Sequence, residues 1–385
     1  EEIFAAGYIK YSRYIDPYMK KPASIESCIA DLAFIKQYYK RHSNNYYCFG
    51  FSIWKQCFTT PYVSSGNNKV KYYRDTKKAL KAASNDKGSE ILLWAAREET
   101  KSGQTYGNIN ICRMEDGFIR SAGLGSDLIA ANSLIIDKKN IHFDHSKPSE
   151  LEDILNSKNY TEQELARAQA LLDKVIENSV TKYNLQTAEL KLYAPEGKKK
   201  ILIVGQVESD ASIRFGALDI RTNSELINET RRQNPDAYLI YKPHPDVVSG
   251  NRDSGGWHEE GADVIITDAH ILELIKQVDE VHVITSLAGF EAILRNKKVV
   301  CHGVPFYHGW GLTEGPDFPR RTRQRNKLEL FAAAIIDYPS YYDFSAQLPC
   351  RPEVLVDKIA FGLLTEKKKQ KYTRAYNWVT MSLKK

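Results

Sequence analysis

The chain has 385 residues, 42% of them apolar, and a formal net charge of +6. That length exceeds one ordinary core, so two domains are expected, and no apolar run is long enough to span a membrane. The charge is too mild and dispersed for a nucleic-acid protein but suits an anionic substrate or a membrane surface, and six scattered cysteines without a CxxC pair argue against zinc and for reduced thiols in the cytosol.

No signal peptide is visible, and a start at Glu1 rather than Met leaves room for a leader or disordered start upstream. Tyr8, Tyr11, Tyr14 and Tyr18 recur near helical spacing and predict an amphipathic helix packing its tyrosines. Ser24 to Arg41 reads as a helix and Tyr46–Phe51 as a strand. Ser64–Asn68 (SSGNN) is a turn, Glu90–Ala95 a buried strand, and Glu98 to Asn108 a polar loop. Ile109–Met114 is a short strand that delivers Glu115-Asp116-Gly117. One of these carboxylates orients the other or caps a turn, and a carboxylate in a cleft beside a like charge can work as general acid or base. A plain Asp-Gly turn is the alternative. Ser133–Lys138 and Ile141–Asp144 flank a Lys-Lys-Asn turn and predict a hairpin. Ser149 to Glu177 predicts a helix pair leading out of the first domain.

The boundary is expected near the Pro-, Gly- and Lys-rich Ala194–Lys200, giving domains 1–195 and 196–350 and a helical segment 351–385. Strand Ile201–Val204 then opens a regular alternation. Helix Ser224–Gln233, strand Ala237–Tyr241, strand Val264–Thr267, helix Ile271–Val278, strand Val281–Thr285, helix Leu287–Leu294 and strand Lys298–Cys301 follow. That alternation means right-handed crossovers and a parallel sheet. The fold expected is α/β, with two Rossmann-like domains facing across a cleft.

Four polar clusters fall at strand ends of this second half, where open α/β sheets bind ligands. Gln206, Glu208, Ser209 and Asp210 follow the first strand; helix capping by Ser209 or Asp210 is the plainer reading. Tyr241-Lys242-Pro243-His244-Pro245 presents a backbone-fixed histidine beside a lysine, well made for a phosphate. Thr285-Ser286 opens a helix whose N–H groups suit an anion, with Glu291 placed to meet ribose hydroxyls. Gly303–Leu312 holds three glycines and aromatics, a shaped loop for stacking a base or closing the cleft. Neither GxxxxGK[ST] nor GxGxxG occurs, and no metal-ligand spacing stands out.

Taken together, EDG, then HP, then a Ser/Thr pair opening a helix resembles the pattern of bacterial CMP-sugar sialyltransferases. A closer resemblance covers most of the chain. EDGFIRSAGLGSDL (Glu115–Leu128), GQVESDASI (Gly205–Ile213), KPHPD (Lys242–Asp246) and the segment Ser286–Thr313 are similar to the capsule β-Kdo transferases of the KpsC family and to the β-Kdo transferase module of the O-antigen-capping enzyme WbbB. KpsC-type chains carry two such modules and this chain has room for one. The resemblance implies a GT-B-like fold, a CMP-β-Kdo donor, no metal, and a β-Kdo product on a glycan or glycolipid acceptor, hence a retaining enzyme with a nucleophile. It places the nucleophile on Asp210, the CMP phosphate on Lys242, His244, Ser286 and Thr285, and a general base on Glu115 or Asp116. Arg120 and Arg214 are candidates for the Kdo carboxylate. A cytoplasmic location follows, and the basic, aromatic tail Glu366–Lys385 offers either membrane-surface contact or a final helix packing on the first domain. The rival readings are an inverting CMP-sialic acid transferase and a non-catalytic sugar-nucleotide-binding module.

Overall fold

A computed structural model of the protein describes residues 1–94, 109–123, 129–184, 190–248 and 261–364. In chain order its strands are β1 (Tyr14–Ile15), β2 (Pro22–Ala23), β3 (Tyr46–Phe49), β4 (Val70–Tyr73), β5 (Glu90–Trp94), β6 (Asn110–Asp116) and β7 (Ser133–Asp137). There follow β8 (Lys200–Val204), β9 (Tyr238–Lys242), β10 (Val264–Ile265), β11 (Glu280–Val283) and β12 (Lys298–Cys301), then β13 (Ser340–Asp343) and β14 (Leu348–Cys350). Two compact units result: Glu1–Ile136 with Pro339–Lys385, and Asp137–Tyr338.

The first unit is built on a seven-stranded sheet in the order β14-β13-β7-β6-β5-β3-β4. Strands β4, β3, β5 and β6 run parallel, while β13 is antiparallel to β7 and β14. The period-2 pleat explains its two cores. Tyr46, Cys48, Leu92, Trp94, Cys112 and Met114 fill one, and Tyr47, Phe49, Ile91 and Leu93 fill the other. The second unit carries a five-stranded sheet, β10-β9-β8-β11-β12, parallel throughout. Ile201, Ile203, Leu239 and Tyr241 meet Leu226 and Ile227 of helix Asn223–Gln233 on one face. The continuous apolar runs of β8 and β9 are what burial on both faces requires. Among the described residues no helix is long and apolar enough to cross a membrane.

Several expectations change. The unit boundary falls at Ile136/Asp137 rather than near 195, and the chain returns to the first unit at Pro339. The cause is the helix pair Glu150–Ser157 and Glu162–Glu177, which packs on Lys327–Phe331 and Ala332–Asp337 of the second unit. The predicted 133–144 hairpin is a strand followed by a turn. The Asp137 carboxylate takes the N–H groups of Lys139 (2.8 Å), Asn140 (3.0 Å) and Glu150 (2.8 Å), which holds the turn and turns the chain away. The tyrosine-lined helix is also absent: Tyr8 and Tyr11 are exposed, and only Tyr18 is buried, donating its hydroxyl to the Pro349 carbonyl at 2.6 Å. Strands β4, β13 and β14 were not foreseen. Helix Pro352–Ala360 belongs to the first unit, whereas residues 365–385 and the expected loop around 98–108 lie outside the described residues.

Candidate functional site

The ends of β9, β8 and β11, adjacent in the sheet, deliver the three polar clusters. After β8, Asp210 caps helix Ala211–Gly216. Its Oδ1 accepts from the Ser212 N–H and the Ser212 hydroxyl, both at 2.9 Å. The capping reading is thus what this oxygen does. Glu208 also serves a helix start: its Oε1 accepts the Asn223 N–H at 2.8 Å, where a negative charge meets the positive end of helix Asn223–Gln233. Gln206, buried, lies between the clusters and bonds to Thr285.

After β9, the Lys242 Nζ donates to the Thr267 carbonyl at 2.5 Å, and burial lowers its pKa against the pull of Asp268. The carbonyl of His244 starts the short helix Pro245–Val248. His244 Nδ1 accepts the Asp246 N–H at 3.1 Å, so the neutral ring carries its proton on Nε2.

After β11, the two hydroxyls differ. Thr285 has its N–H on Gln206 Oε1 (2.8 Å), and its hydroxyl contacts Gln206 Nε2 (3.0 Å) and the Ser212 carbonyl (3.3 Å). Those bonds make Thr285 a support rather than an open phosphate contact. Ser286 caps helix Leu287–Leu294 by accepting the Ala288 N–H at 3.3 Å, which leaves its own O–H as a donor. Its carbonyl accepts the Tyr307 hydroxyl. That approach explains Gly289, where a Cβ would stand 2.3 Å from the Tyr307 oxygen. The Gly303–Leu312 loop therefore turns its aromatics inward: Tyr307 and Trp310 are fully buried, so the base-stacking or cleft-closing role is not what their packing serves.

Glu291 is buried on the same helix. Its carboxyl receives the Lys182 backbone N–H and faces Arg295, an internal tie rather than an open ribose acceptor. Burial pushes its pKa from 4.5 up to about 7, against Arg295 and Lys182. The fold prefers the neutral acid, so as pH rises from 4.5 to about 7 the unfolded chain ionises first and stability falls. That shift corresponds to about 3 kcal/mol. Glu291→Gln should therefore melt above wild type at pH 8 and close to it at pH 5. A variant whose Tm difference does not change across that range would contradict this.

In the first unit, Glu115 and Asp116 are consecutive on β6 and point to opposite faces. Asp116 Oδ2 pairs with Arg120 Nε at 2.8 Å, and its Oδ1 is buried with no hydrogen-bond partner among the described residues. Glu115 Oε1 accepts the Asp116 N–H at 3.0 Å. Arg120 is buried, donating also to Ser121 at 2.8 Å, so it holds Asp116 rather than presenting itself to a sugar carboxylate. Arg214 is exposed in the second unit, its guanidinium 5.1 Å from the Phe215 ring. Asn223 and Ser212 were missed by sequence reasoning; the sign was a polar residue at each helix start.

A parallel sheet with a carboxylate, a Lys-Pro-His-Pro turn and a serine-capped helix at its strand ends defines an α/β protein of two units with its polar residues where such folds bind ligands. Residues 159–341 match the family described as capsule polysaccharide biosynthesis protein. The lipopolysaccharide-processing protein LpsZ of Rhizobium meliloti is 37% identical over 305 residues, 76% of this chain and 69% of LpsZ. The capsule polysaccharide modification protein LipA of Neisseria meningitidis serogroup B is 40% identical over 346 residues, 88% of this chain and 49% of LipA. The chain thus spans about half the length of the LipA proteins it matches. Among solved structures, the β-Kdo 2,7 transferase of Thermosulfurimonas dismutans KpsC aligns with a TM-score of 0.70 at 32% identity, over 83% of this chain and 99% of that one. The β-Kdo 2,4 transferase of the same KpsC gives 0.71 at 27% identity, over 81% and 97%. The chain belongs to the KpsC-like capsule polysaccharide biosynthesis family and shares the fold of these transferases.

Proposed function

We propose that the protein is a retaining glycosyltransferase of capsule or lipopolysaccharide synthesis. It moves Kdo from CMP-β-Kdo to a glycan or glycolipid acceptor on the cytoplasmic side of the membrane. The observation that carries this reading is the arrival of Lys242, Asp210 and Ser286 at the carboxyl ends of three adjacent parallel strands, in a chain with the fold of two Kdo transferases. Lys242, His244 Nε2–H and the Ser286 hydroxyl would hold the CMP phosphate and stabilise the charge that grows on it as the C–O bond breaks. Asp210 would attack from the opposite face, and the family resemblance assigns the general base for the acceptor to Glu115 or Asp116. Positively charged and N–H donors at the phosphate make a metal unnecessary in this scheme.

Incubation with CMP-β-Kdo and an acceptor tests it: CMP release with a β-configured product by NMR is expected, and an inverted product would favour the sialyltransferase-like scheme instead. A binding experiment tests the phosphate site separately. Lys242→Met removes a charge-assisted donor and should weaken CMP by roughly 10- to 100-fold. Cytidine, which has no phosphate, should bind the variant as it binds wild type. Equal weakening of both by titration calorimetry would remove Lys242 from the phosphate.

A further inference from the structure

We propose that Gln206 is a positioning residue that sets Asp210 and Ser286 relative to one another, with Asn223 as its anchor. The backbone of Gln206 is held twice by one side chain. Its N–H donates to Asn223 Oδ1 at 2.8 Å, and its carbonyl accepts from Asn223 Nδ2 at 2.9 Å. Asn223 is itself the first residue of its helix, with its N–H on Glu208. The Gln206 side chain therefore leaves a fixed base. It is 7% exposed, where an unmatched amide would be costly.

The amide then reaches two loops. Oε1 accepts the Thr285 N–H at 2.8 Å, and Nε2 donates to Thr285 Oγ1 at 3.0 Å and, more weakly, to Ser212 Oγ at 3.4 Å. The protons can be counted. The Ser212 hydroxyl gives its single proton to Asp210 Oδ1, so Ser212 Oγ meets Gln206 as an acceptor. The Thr285 hydroxyl points its proton at the Ser212 carbonyl and likewise accepts from Gln206. Each proton has its own acceptor, and a path runs Asp210–Ser212–Gln206–Thr285. Thr285 is the residue before Ser286. One neutral amide thus bridges the loop after β8 to the helix start after β11.

This inference rests on the proposed chemistry for its kinetic consequence. A nucleophile must face the carbon opposite the leaving phosphate, and a displacement of about 1 Å can cost roughly 10²-fold in rate. Glutamine suits the bridge because it both accepts and donates. Gln206→Glu keeps the acceptor but cannot donate, and it adds a negative charge near Asp210. Gln206→Met keeps the size and loses every side-chain bond.

The test uses the whole chain and two readouts. In Gln206→Met, kcat should fall roughly 10²-fold, and CMP should bind more weakly by a smaller factor, no more than about tenfold, because Ser286 loses its setting along with Asp210. Ser212→Ala should behave alike, Ser212→Thr should recover most of the loss, and the double variant should lose little more than either single one. The second readout needs no turnover: amide exchange by NMR should speed up at Thr285 and at Ser212 together in Gln206→Met. Wild-type kcat in Gln206→Met overturns the proposal. So does faster exchange at Thr285 alone, which would mean a local bond with no reach to the Asp210 cap. Wild type that releases no CMP from a Kdo donor would instead count against the proposed reaction, and the exchange result would still decide the bridge.

Discussion

Asp210→Asn is expected to bind CMP as wild type does and to lose transfer by a factor on the order of 10⁴. The substitution is a clean one for a structural reason. Asp210 caps helix Ala211–Gly216 through Oδ1, and asparagine is as good a cap as aspartate, since its amide oxygen can take the same Ser212 N–H. The fold and the phosphate site on Lys242 and Ser286 should therefore persist. What asparagine cannot do is form the glycosyl ester that retention requires. Glu208 is the competing carboxylate, two residues earlier. Its Oε1 is committed to the Asn223 N–H at 2.8 Å, but Asp210 is committed too, so capping does not separate them. A direct measurement does. Intact-protein mass spectrometry of wild type with donor and no acceptor should show a Kdo-sized increment whose peptide maps to Asp210. Near-normal transfer by Asp210→Asn, or an increment on Glu208, would end the assignment.

How much of this could be read from the residues depended on burial. The strand predicted at Lys298–Cys301 and the helix at Leu287–Leu294 occur with those bounds, and β8 begins one residue earlier than expected. These elements are covered on both faces, so their apolar runs are unbroken and the punctuation falls at the ends. The first unit was harder. Strand β4, with its exposed Lys71 and half-buried Tyr72, carries no such run. Strands β13 and β14 lie beyond the second unit in sequence, so only the fold brings them to β7. The unit boundary was misplaced because a charged, Pro- and Gly-bearing stretch marks an exposed connection, whether or not it separates units. At the site, residue types were legible and their partners were not. Thr285 and Ser286 look interchangeable as letters; the hydrogen bonds to Gln206 give one to the scaffold and leave the other at the helix mouth. Arg120 read as a free cation because its partner, Asp116, was already assigned to chemistry.

Glu152→Ala should be among the most destabilising single changes in the second unit, by about 3–5 kcal/mol. Glu152 is buried on helix Glu150–Ser157, yet its carboxylate holds two consecutive arginines. Arg320 pairs with it and also donates to the His145 carbonyl at 2.9 Å. Arg321 approaches it at 3.3 Å and is itself buried, donating to the carbonyls of Pro305 and His308 at 2.6 Å each. Burial lowers the Arg321 pKa to about 10 against the pull of Glu152, so the guanidinium keeps its charge at neutral pH. Alanine at 152 would leave that charge buried without its counterion, which costs far more than the pair contributes. For a unit of this size the loss corresponds to a Tm drop on the order of 10 °C. The damage should also spread, because Arg321 secures the loop whose Tyr307 hydroxyl supports the Ser286 carbonyl. CMP affinity should therefore weaken in Glu152→Ala at temperatures well below its melting point. The paired replacement Glu152→Met with Arg321→Met removes both charges, and it should regain much of the stability. If Glu152→Ala melts within a few degrees of wild type, the charge on Arg321 is compensated elsewhere and the ion pair is not what holds this loop.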